Sequence, residues 1–124
     1  MRKILVALIL LSNIVFAQVV PDYAKEARWA SFVEDGLMDG DVVWLINGDR
    51  EFLTILTESE SDSSKVAIVM HGLGVHPDWT GVIQPLRLSL TEQGYHTLSI
   101  QLPVLANGVD GKEYDALNGD SDKR

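Results

Sequence analysis

Three observations predict an α/β fold. A β-rich hairpin pattern occupies residues 42–57, an unbroken apolar run spans residues 66–70, and a helix-spaced segment then leads into an alternating strand that ends at Pro103. A strand, a helix and a second strand joined by a connection of this length form a parallel unit with a right-handed crossover. The expected architecture is an N-terminal helix, an antiparallel hairpin and one parallel strand–helix–strand unit, within a chain of 124 residues.

The first 17 residues stand apart. Arg2 and Lys3 precede the apolar run Ile4 to Leu11, and Val15 and Ala17 fit the small-residue positions before a cut at Gln18. This order reads as a secretory signal peptide, which places the remaining residues, 18–124, in the periplasm or outside the cell. An N-terminal anchor is the alternative reading. The run is short for a span of about 20 residues, so no stable membrane span is expected after cleavage.

From Asp22 the segment "DYAKEARWASFVEDG" has helical spacing, with Asp22 as cap, Trp29, Ala30 and Val33 on one face, and Gly36 as the stop. Val42 to Ile46 and Phe52 to Thr57 flank Asn47-Gly48-Asp49, which suits a tight reversal. The acidic, serine-rich "ESESDSSK" that follows reads as a solvated loop or a flexible joint. Val66 to Met70 shows no alternation, so both its faces are expected to be covered, as in the centre of a parallel sheet. Ile83, Leu86 and Leu90 have helical spacing, and Pro85 requires that helix to start near Ile83 or Gln84. Leu98, Ile100 and Leu102 alternate in the last strand, whose outer edge is expected to be unpaired. Tyr114 to Leu117 reads as the start of a further helix.

Composition narrows the partners. Apolar residues make up 46% of the chain, a globular share. Without Arg2 and Lys3, eight basic residues face 18 acidic ones, a net charge of −10. Nucleic acid and anionic membrane surfaces need a cationic footprint, so neither is an expected partner. There is no cysteine, so stability rests on packing or on a partner rather than on disulfides.

The segment "HGLGVHPDWTGVIQPLRLSLTEQGYHTLSIQLPVL", residues 71–105, resembles the corresponding part of secreted bacterial hydrolase-like proteins of unknown function, related to the α/β-hydrolase superfamily. Weaker similarity reaches back to the Trp44 hairpin. The resemblance implies an N-terminal part of a partial α/β-hydrolase-like domain. It also implies that His71, Gly72, Leu73 and Gly74 form an oxyanion loop, with Leu73 and Gly74 supplying or shaping backbone donors. The other reading of Gly72 and Gly74 is a sharp exit from the strand.

His76, Asp78, Trp79, Gln101 and Pro103 are candidates for lining a pocket, where α/β sheets place ligands at the carboxyl ends of their strands. Asp78 could orient His76. Alternatively His76 to Thr80 is a turn whose Asp78 or Thr80 serves the next helix. Arg87 is expected in a salt bridge. His71, His76 and His96 match no zinc spacing, so no metal and no cofactor is expected.

No Gly-x-Ser-x-Gly elbow occurs anywhere in the chain. Ser59, Ser61, Ser63, Ser64, Ser89, Ser99 and Ser121 all lack that glycine frame, so no catalytic nucleophile is assigned. The chain therefore reads as a fragment of a longer protein, of low independent stability. A small-molecule or acyl substrate is expected for the full-length form. A non-catalytic envelope protein that uses the same scaffold for binding is the alternative.

Overall fold

The computed structural model describes residues 19–117. The signal-peptide reading, its cut before Gln18, and Ser121 lie outside the described residues. The first helix, α1 (Tyr23–Gly36), starts where predicted: the Asp22 carboxylate accepts from the Lys25 N–H at 2.9 Å. Gly36 is its last residue, and the exit is made by Leu37 in an extended conformation. Ala30 and Val33 are buried against Leu53 and Ile55 of the hairpin.

The hairpin consists of β1 (Asp41–Asn47) and β2 (Arg50–Thr57), joined by Gly48 and Asp49 alone. Its entry demands a glycine. Gly40 has φ +92°, and a Cβ there would lie 2.6 Å from Thr57 Oγ1 and 2.7 Å from the Leu56 carbonyl. Arg50 stacks on the Tyr23 ring at 3.4 Å and ties the hairpin tip to the start of α1.

β3 (Val66–Met70), α2 (Ile83–Glu92) and β4 (His96–Ile100) form the parallel unit. Pro85 falls in the first turn of α2, where its missing N–H costs nothing. The Val82 cap position has no side-chain bond, so neither Asp78 nor Thr80 caps this helix. A short helix, α3 (Gly111–Asp115), begins at Asp110, earlier than the predicted Tyr114 start.

The strand order β1-β2-β4-β3 corrects two expectations. β4 is not an open edge: it pairs antiparallel with β2 and parallel with β3. The crossover through α2 sets β4 against the free side of the hairpin, so β3 is the border among the described residues. Nor is β3 covered on both faces, since Val66, Ile68 and Met70 are 62%, 62% and 63% exposed. α1 packs against Leu53 and Ile55, and α2 meets Thr57 through Arg87; in register, these residues share their face with Ser99 and Val69. Val66, Ile68 and Met70 point the other way.

The acidic loop between β2 and β3 is anchored rather than free. His96 Nδ1 accepts from the Ser59 N–H, its Nε2 bonds the Ser63 carbonyl at 2.8 Å, and Ser59 Oγ donates to the Thr91 carbonyl.

Candidate functional site

β3 and β4 run parallel, so their carboxyl ends meet at one edge of the sheet. There the chain leaves β3 through His71 and leaves β4 through Gln101. Leu102 N–H donates to His71 Nε2 at 2.8 Å, and the Gln101 amide nitrogen lies 3.1 Å from the same atom. A nitrogen that accepts from a backbone N–H carries a lone pair, which puts the ring proton on Nδ1. That atom donates to the Gly72 carbonyl at 2.7 Å. His71 is buried; its Nε2 fastens the two strand exits together, and its Nδ1 holds the backbone of its own exit.

Beyond His71 lies a cavity of about 110 Å³, lined by His71, Gly72, Leu73, Leu102, Pro103 and residues of the α3 region, including Tyr114 and Asp115. Leu73 is exposed. Among the described residues, the N–H groups of Leu73 and Gly74 donate to no protein acceptor. Gly74 has φ +74°, and a Cβ on it would lie 3.2 Å from Tyr114 Oη, so a side chain there would be both strained and crowded.

Two residues that the sequence did not single out close this edge. Tyr114 Oη accepts from the Leu105 N–H at 2.9 Å. Lys25, buried on α1, donates to the Leu105 carbonyl at 2.9 Å. Neither belongs to a motif. Lys25 reads as an ordinary helix-surface residue, and the contact spans 80 positions of sequence.

The remaining candidates divide. Pro103 lines the cavity beside His71. Gln101 faces a second cavity of about 190 Å³, between α1 and the hairpin, with Tyr23, Trp44 and Arg50 on its walls. His76, Asp78 and Trp79 pack away from both. The His76 ring sits among Trp29, Phe32 and Trp79, with centroids 4.7, 5.5 and 5.4 Å away. Asp78 does hold His76, but through its backbone N–H, 3.2 Å from Nδ1.

The Asp78 carboxylate accepts from Gln84 Nε2 at 3.3 Å and, more closely, from Arg87. Nε and Nη2 reach Oδ1 at 3.1 and 2.7 Å, while Nη1 donates to Thr57 Oγ1 and to the Asp39 carbonyl, both at 2.8 Å. Burial pushes the His76 pKa below its ordinary 6.5, against the opposing pull of the Asp78 charge. Among the described residues, no group of three or more His, Asp or Glu side chains is placed to hold a metal ion, and no helix is long and apolar enough to cross a membrane.

Comparison with known proteins adds a family. Among solved structures, the chain is similar to an alpha-beta serine hydrolase homologue from Coxiella burnetii, with 14% identity and a TM-score of 0.45. The match covers 70% of this chain and 49% of the other, so this chain spans about half the length of that structure. No curated protein matches. The model of the family described as "Protein of unknown function (DUF3530)" matches residues 13–122, nearly the whole chain, and the protein belongs to that family.

Proposed function

We propose that this is the N-terminal part of a secreted α/β-hydrolase-like protein. Its full-length form acts on an ester or similar acyl substrate, with residues 71–74 steadying the developing oxyanion. One observation carries this reading: the Leu73 and Gly74 N–H groups have no protein acceptor among the described residues, in a loop beside a cavity at the carboxyl edge of two parallel strands. Donors fixed in advance stabilise charge that develops in a transition state, and they need no reorganisation as it forms. His71 acts here by position. With Nε2 accepting from Leu102 and Nδ1 donating to Gly72, it shapes the loop rather than moving a substrate proton.

Residues 1–124 contain no nucleophile elbow. An oxyanion donor without a nucleophile performs no acyl transfer, so the second component is expected from a Gly-x-Ser-x-Gly segment in the full-length reading frame. The test is to read past codon 124, express the full-length product and assay it on p-nitrophenyl acetate and butyrate. Hydrolysis lost on changing the elbow serine to alanine supports the enzyme. A complete frame with no elbow and no turnover contradicts it and leaves the binding protein. Residues 1–124 alone are expected to give no turnover above a buffer blank.

A further inference from the structure

His76 is only 3% exposed, and rings enclose it from two elements: Trp29 and Phe32 from α1, and Trp79 from its own loop. Its Nδ1 must keep a lone pair to accept the Asp78 N–H. A proton added there turns the acceptor into a donor facing a donor, and it places an ion where little water reaches. The loop over residues 71–82 is tied to β4 by Ser99 Oγ on the Pro77 carbonyl at 2.7 Å, and on the helix side it is pinned at two points of different character. One is the neutral imidazole against α1. The other is the Asp78 carboxylate against Arg87 of α2, whose guanidinium is fully buried. Histidine is the side chain whose ordinary titration lies between pH 5 and 8, so a single proton acts on the first pin and not on the second.

We infer that His76 is a proton-operated latch: neutral, it holds the 71–82 loop against α1; protonated, it leaves Trp29 and Phe32 while Asp78 and Arg87 keep the loop on α2. Three sets of charged groups bear on it. Asp78, on the same loop, favours the imidazolium. Arg87, from α2, is bonded to that carboxylate. α1 presents Trp29 and Phe32, while Arg28 and Asp35, one turn either side of Phe32, are exposed to solvent. Desolvation outweighs the Asp78 charge, so the latch opens on the acid side of pH 6.5. Neutral His76 thus contributes stability that is fully present above pH 6.5 and is lost as the pH falls through the lowered folded-state value. Leu73 and Gly74 ride on the same loop, so the latch sets how firmly they are held. The inference stands whether or not they serve an oxyanion.

The test is a titration of the full chain from pH 8 to 5, followed by tryptophan emission and by NMR of the histidine rings. A red shift of emission is expected, with a one-proton profile. It should coincide with the His76 ring titration and with loss of the contacts from His76 to Trp29 and Phe32. His76→Phe should abolish the red shift, while His96→Gln should retain it. Ring contacts that persist through the His76 titration would overturn the latch, since the aromatic rings would then be holding the imidazolium as a cation–π partner. So would a red shift that survives in His76→Phe. If His76→Phe does not fold, the wild-type ring contacts decide the matter by themselves.

Discussion

Arg87 joins three parts of the chain with one side chain. It meets Asp78 in the loop, Asp39 before the hairpin and Thr57 at the end of β2, and it is itself wholly inaccessible. A salt bridge was legible from a charged residue set between two leucines. Its partner was not, because the nine-residue reach from Asp78 to Arg87 spans the loop–helix junction rather than one helical turn. Removing one member of a buried pair leaves the other charge uncompensated, at a cost of about 3–5 kcal/mol. Arg87→Met is therefore expected to lower the free energy of urea unfolding by that order. Asp78→Leu added to Arg87→Met should recover much of the loss. Equal or greater loss in the double variant would show that the pair is not what holds the junction.

The elements were read more completely than their neighbours. Asp22 announced α1, Pro85 fixed the start of α2 to within a residue, and Gly48-Asp49 marked the hairpin reversal. Each is a local signal. Strand order is not local. Val66 to Met70 looked central because every residue in it is apolar, yet among the described residues β3 pairs on one side only. The alternation in β4 misled in a similar way: the polar Thr97 and Ser99 are fully buried under the helices, while Leu98 is half-buried on the other face. Ser99 manages this by donating to the Pro77 carbonyl at 2.7 Å.

Neighbouring residues of β3 should therefore respond differently. Val69→Ala, at a covered site, is expected to cost roughly 2 kcal/mol. Ile68→Thr, at an exposed one, should stay within about 0.5 kcal/mol. Chemical denaturation of both variants checks this; an Ile68 cost equal to that of Val69 would mean that the outer face is covered.

At the scale of the whole molecule, two helices lie on one face of a four-stranded sheet, and His71, Gly72, Leu73 and Pro103 line a cavity at the carboxyl edge of its parallel pair. The location of that edge followed from the strand–helix–strand pattern. Its closure did not, because Lys25 and Tyr114 arrive from opposite ends of the chain to bind Leu105. The centre of this arrangement is His71, committed to holding the exits of β3 and β4 together and so to shaping the loop that carries Leu73 and Gly74. The most direct test is a long-range proton–nitrogen correlation of the His71 ring in the isotope-labelled protein at neutral pH. A single tautomer with the proton on Nδ1 and a bare, hydrogen-bonded Nε2 is predicted. A proton on Nε2, or a ring averaging between the two tautomers, would contradict the account.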